Sequence, residues 1–117
     1  MTVRELYETL GGDYKEAMSR LMNDQFASLM LKKFLANNEY GKMAEAFAQG
    51  DRASAFRYSH NLKGVALNLG LNRLGEAVSA LCEIARDEAA QENCPPELLE
   101  KAAAEYEAAA SAIRSLG

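Results

Sequence analysis

The sequence predicts an all-α fold: an antiparallel up-down four-helix bundle with additional short helices on its N-terminal side. Three observations carry this. Apolar residues recur at helical spacing along the whole chain, and alternating runs of Val, Ile, Thr and aromatic residues are missing. The breaks between helical patterns are short and marked by Gly, Pro or Asn, and short connections favour antiparallel neighbours.

The elements follow in order. Thr2 caps a short helix in TVRELYETLGG, with Glu5 as its capping-box partner three residues on, and Gly11 and Gly12 end it. A second helix starts near Asp13. Its apolar positions Tyr14, Ala17, Met18, Leu21 and Met22 lead on to Phe26, Leu29, Met30, Phe34 and Leu35, and Asp24 offers a re-capping point between two helices in tandem. NNEYGK reads as a turn, followed by a short helix with Met43, Ala46 and Phe47. QGD, Gln49 to Asp51, stops that helix and caps the next, which runs to about Asn68 and closes at Leu69-Gly70. Leu71 to about Ala90 follows, with Leu74, Ala77, Val78, Leu81, Cys82 and Ile84 as apolar positions. ENCPPE is the clearest loop, and Pro96 suits the first turn of the last helix. Met18, Met22, Met30 and Met43 read as core filling and the Glu-rich last helix as a solvated face.

A chain of 117 residues with no dividing linker is one domain, spanning 1–117, with a single core. A net charge of -4 without a basic run argues against nucleic acid and anionic membrane as partners. No apolar run approaches the roughly 20 residues of a membrane span, and no signal-peptide core follows Met1, so the expectation is a cytoplasmic protein. Met1 opening a helical pattern and a short C-terminal tail favour a stand-alone chain, expected to be a monomer. Cys82 and Cys94 are expected to be reduced thiols. One His and two distant Cys make no metal spacing, and no bound cofactor is expected.

One helix has two apolar faces. At about 100° per residue, Ala55, Tyr58, Ser59, Leu62, Val65, Ala66 and Leu69 fall on a core side. His60 lies opposite, with Ala53, Phe56, Arg57, Lys63, Gly64 and Leu67. A solvated face should be dominated by charge; this one mixes Phe, Leu, Ala and Gly with a histidine and two cations. Either it packs on the short N-terminal helices and His60 is an ordinary seam residue, or it is exposed for another protein to dock on. Gly64 favours docking. It reads as a glycine placed inside a long helical pattern where the other long helices keep glycine out, and it costs about 1 kcal/mol relative to Ala. A missing Cβ one turn beyond His60 clears the approach to the ring, and Lys63, at i+3, can reach an anion attached to it.

Imidazoles ordinarily titrate near neutrality, so a ring nitrogen carries a lone pair and can attack phosphorus without a helping base. Phosphoryl transfer then needs in-line positioning and charge neutralisation. The chain has neither a P-loop nor a kinase glycine loop, so any phosphate must come from another protein that supplies the metal and the activated donor.

His60-Asn61-Leu62-Lys63-Gly64 followed by Leu69-Gly70 resembles the signature of histidine-containing phosphotransfer (HPt) domains of bacterial phosphorelays. QGDRASAFRYSHNLKG is similar to the family's approach to its histidine, LNRLGEAVSALCEIAR to its following helix, and the opening TVRELYETLGGDYKEAMSRLMND to a subset of small bacterial members. The resemblance implies a four-helix bundle with flanking short helices and an exposed His60. It implies that His60 accepts phosphate from a receiver-domain aspartyl phosphate and passes it to another receiver aspartate, with Lys63 neutralising the phosphate and Gly64 leaving clearance. Response-regulator receiver domains are the implied partners, with a hybrid sensor histidine kinase as a candidate donor, and Mg²⁺ sits on the receiver side. Ala53, Phe56 and Leu67 map onto the docking surface by register; Arg73 could sit at the rim and attract an acidic receiver site, and Arg57, one turn before His60, could steer a partner or pair with a nearby Glu. The family often steadies the imidazole with a polar side chain of the next helix; Ser79 and Cys82 are the choices there, and Asn68 lies two turns away on the same helix. On this reading the chain is a phosphotransfer intermediate and not a turnover enzyme. The alternatives are a helical interaction module with a packed, unphosphorylated histidine, and a small catalytic bundle using His60 as general base with Glu83.

Overall fold

The fold is described by a computed structural model over residues 1–87 and 94–117. The described residues form seven helices and no strand: α1 (Val3–Thr9), α2 (Tyr14–Leu21), α3 (Asp24–Asn37), α4 (Glu39–Ala48), α5 (Arg52–Asn68), α6 (Asn72–Arg86) and α7 (Pro96–Arg114). The all-α class read from the helical spacing is the class observed.

Side-chain caps set most of the helix starts. Thr2 and Glu5 form a capping box on α1, Asp13 accepts from the Glu16 amide on α2, and Asp51 accepts from the Ser54 amide on α5. The tandem helices are capped by Asn23, whose side chain accepts from the Phe26 amide, so Asp24 is the first helical residue and not the cap. NNEYGK is no extended turn. The break between α3 and α4 is the single residue Asn38 in the left-handed region at φ 51°, and the chain is helical again from Glu39. Asn tolerates that conformation better than most side chains, so one residue suffices to turn the chain. α6 ends at Arg86, earlier than the expected Ala90, which lies outside the described residues, as do Glu92 and Asn93 of the ENCPPE loop.

α5 and α6 make the most extensive helix pair. α4 packs on α5, α7 on α6, and α3 against α7, while α1 contacts α2, α3 and α7. One continuous core runs through them, including Leu6, Tyr7, Leu31, Met43, Leu62, Leu74, Val78, Leu81 and Ile113. A small satellite of Ala46, Ala55 and Ala85 joins α4, α5 and α6. Three alanines there permit close approach, which brings the Arg86 end of α6 to the first turns of α5.

Gly64 is not alone inside a helix. Gly75 lies in α6, buried, where an added Cβ would collide with Leu67 Cδ2 and lie 2.7 Å from Cγ, so it admits the Leu67 side chain between α5 and α6. Gly41 lies in α4. Both Cys82, buried, and Cys94, half-buried, are free thiols. Among the described residues no helix is long and apolar enough to cross a membrane.

Candidate functional site: the exposed face of the histidine helix

α5 divides as its periodicity requires. Ala55, Ser59, Leu62 and Ala66 are buried, and Ser59, the buried polar residue of this face, donates its hydroxyl to the Phe56 carbonyl at 3.1 Å. The opposite stripe is open. Ala53, Arg57, His60, Gly64 and Leu67 are exposed, and Phe56 and Lys63 are half-buried. The packed-histidine alternative fails here: His60 is not walled into the bundle.

Side chains on a helix lean toward its N-terminus, over the turn before their own Cα. His60 therefore leans onto Phe56, and the two rings stack with centroids 5.7 Å apart and planes 25° from parallel. By the same rule a side chain at position 64 would lean back over the imidazole. Gly64 has none, and a Cβ built there would meet nothing within 4 Å. Lys63 leans toward the same turn, and its ammonium makes no ion pair among the described residues.

The ring makes no hydrogen bond to a described residue. Cys82 is fully buried in the core, and neither Ser79 nor Asn68 hydrogen-bonds the imidazole, so none of the three steadies it. Arg57 places its guanidinium 5.1 Å from the Tyr58 ring centre. Arg73 is not brought to this face. Its guanidinium lies against Gly11, and its surroundings are Leu10, Leu71, Leu74, Glu105 and Ala109 at the α1–α2 turn and α7. Glu83 pairs with Arg86 at 3.3 Å instead of approaching His60 as a base partner. Arg86 itself was not anticipated near the site: its guanidinium sits 5.7 Å from the Phe56 ring centre. A helical wheel of α5 cannot find it, because only the α5–α6 packing brings it there. Among the described residues no group of three or more His, Cys, Asp or Glu side chains could hold a metal ion.

The end of α5 is held from outside. Its last four carbonyls lack helical partners by geometry, and each is accounted for. Val65 accepts from the Leu69 amide at 3.0 Å, Ala66 from Leu71 at 2.9 Å, and Leu67 from Gly70 at 3.1 Å. Arg20 of α2 donates to both Leu67 and Asn68 at 3.1 Å, with Glu16 ion-paired to it. Gly70 sits at φ +78°, and a Cβ there would stand 2.9 Å from both Ala17 Cβ and Tyr7 Cε1, so only glycine fits this turn. The first two helices thus fix the end of α5, while its outer face from Ala53 to Leu67 stays largely open.

No curated protein and no solved structure matches the chain. The family model of the Hpt domain matches residues 30–115, from within α3 to just past the end of α7, and so takes in all of α5 with its exposed histidine. With most of the chain covered, and a lone exposed imidazole on an all-helical scaffold, the chain belongs to the Hpt domain family, whose role is histidine phosphotransfer in phosphorelays together with response-regulator receiver domains.

Proposed function

We propose that the chain is a cytoplasmic, monomeric phosphorelay carrier that accepts a phosphoryl group on His60 from one receiver domain and delivers it to another. In the first step a ring nitrogen of His60 attacks the phosphorus of the receiver's aspartyl phosphate in line. The N–P bond forms as the P–O bond to the aspartate breaks, and the electron pair leaves on the aspartate carboxylate. Delivery is the reverse, with a carboxylate of the second receiver attacking and the imidazole leaving. Mg²⁺ is brought by the receiver. Lys63, one turn from the ring and without an ion-pair partner among the described residues, neutralises charge on the phosphoryl oxygens. Ala53, Phe56, Arg57 and Leu67 meet the receiver surface around the site, and Arg73 is not part of that contact.

The observation that carries this reading is an exposed His60 beside open space over Gly64. The test is incubation with a phosphorylated receiver domain and Mg²⁺. The expected outcome is an acid-labile phosphate on the chain that is absent from His60→Gln. Labelling that persists in that variant sinks the proposal.

A further inference from the structure

We infer that Phe56 is the positioning residue of the imidazole: its stacked ring, steadied by Arg86 of the neighbouring helix, sets the orientation of His60 where no side chain among the described residues hydrogen-bonds it. The inference rests on the carrier reading above and goes beyond it, because Phe56 is there only a contact for the receiver.

Three observations converge. The Phe56 and His60 rings stack at 5.7 Å with a 25° tilt, inside the range of favourable offset aromatic pairs. The imidazole has no hydrogen-bond partner among the described residues, so the stack is the ring contact that restrains its torsions. Phe56 is in turn held: it packs on the alanine cluster of Ala46, Ala55 and Ala85, and the Arg86 guanidinium lies 5.7 Å from its centre, within cation–π reach. Arg86 is itself anchored by Glu83 at 3.3 Å.

The chemistry of the site makes this arrangement useful. A hydrogen bond to the imidazole occupies one ring nitrogen; a stack on the ring face occupies neither. The stack leaves both nitrogens of the exposed ring unoccupied by a described residue while the ring plane is restrained, and the lean of His60 onto Phe56 is away from the gap over Gly64 through which the donor must approach.

The test uses phosphoramidate, a small donor that needs no docking surface. A ring nitrogen attacks phosphorus, the N–P bond of the reagent breaks, and ammonia leaves after taking a proton from water. Phe56→Leu keeps an apolar side chain but removes the ring, and is expected to slow labelling of His60 about two- to tenfold. Phe56→Tyr keeps the ring and is expected to label at the parent rate. In proton NMR the upfield ring-current shift of the His60 ring protons should be present in the parent and Phe56→Tyr and lost in Phe56→Leu. Equal labelling rates for the parent and Phe56→Leu overturn the inference, and a slowing seen only with a receiver as donor does so as well, since Phe56 then acts in docking alone. A parent chain that takes phosphate from neither donor overturns the carrier reading and this inference with it.

Discussion

Tyr7 donates its hydroxyl to the backbone carbonyl of Leu69 at 2.6 Å, joining α1 to the end of α5 across 62 residues of sequence. The phenol is fully buried, and its burial pushes its pKa up to about 12. Tyr7→Phe leaves the Leu69 carbonyl buried without this donor, and is expected to cost about 1–2 kcal/mol in urea unfolding. The pH dependence has a definite sign. The fold favours the neutral phenol, so above pH 10 the unfolded chain loses its proton first and stability falls as pH rises toward 12. Tyr14, Tyr40 and Tyr106 are also raised, so the test is the difference between chains. The parent should lose stability more steeply than Tyr7→Phe between pH 10 and 12, and parallel slopes would contradict the assignment.

Gly64 sets stability against function. A Cβ at this position meets nothing within 4 Å, while glycine inside a helix costs up to about 1 kcal/mol relative to alanine. Gly64→Ala should therefore raise the unfolding free energy by about 0.5–1 kcal/mol, and Gly64→Gln should leave the chain folded. Both should slow transfer from a phosphorylated receiver, Gln the more so, because its side chain leans back over the imidazole. Undiminished transfer with Gly64→Gln would remove the clearance argument.

Much of this was legible in the residues, and the reason is locality. Period and caps are written within one turn, so the two faces of α5, the Thr2–Glu5 box and the Asp51 cap could be read directly. What escaped depends on how helices meet. Arg73, next to a turn in sequence, points toward the Gly11 backbone because α6 begins beside the α1–α2 corner. Arg86 reaches Phe56 because α6 packs back along α5. Gly75 stands inside α6, a long helix expected to keep glycine out, and there it admits the Leu67 side chain of a different helix. Asn38 shows the limit of turn composition: a polar run with a glycine read as a loop, yet one left-handed residue broke the helix and the rest stayed helical.

Arg20 is expected to govern the last turn of α5. It donates to the Leu67 and Asn68 carbonyls at 3.1 Å each, and its cation complements the negative end of the helix dipole. Arg20→Gln keeps part of the reach but loses the charge and one of the two bonds. The expected result is faster amide exchange at Leu69, Gly70 and Leu71, whose N–H groups close that turn, with exchange near the Asp51 cap unchanged. A uniform change along α5 would mean a global loss of stability in place of local fraying.

Leu67 and Gly75 give a prediction that separates docking from chemistry. Gly75→Ala would drive a Cβ against Cγ and Cδ2 of the Leu67 side chain, whose 40% exposure leaves it room on the solvent side to move away from α6. The gain in helix propensity, up to about 1 kcal/mol, offsets the lost contact, so the net stability change should stay within about 1 kcal/mol. Leu67 lies two turns from His60, beyond reach of the reacting atoms but on the face proposed to meet the receiver. Its displacement should therefore raise the receiver concentration needed for half-maximal transfer several-fold while leaving the maximal rate, and labelling by phosphoramidate, near the parent values. A fall in the phosphoramidate rate would mean that the disturbance reaches the imidazole itself, and the face around Leu67 could not then be treated as a docking element separate from the reacting group.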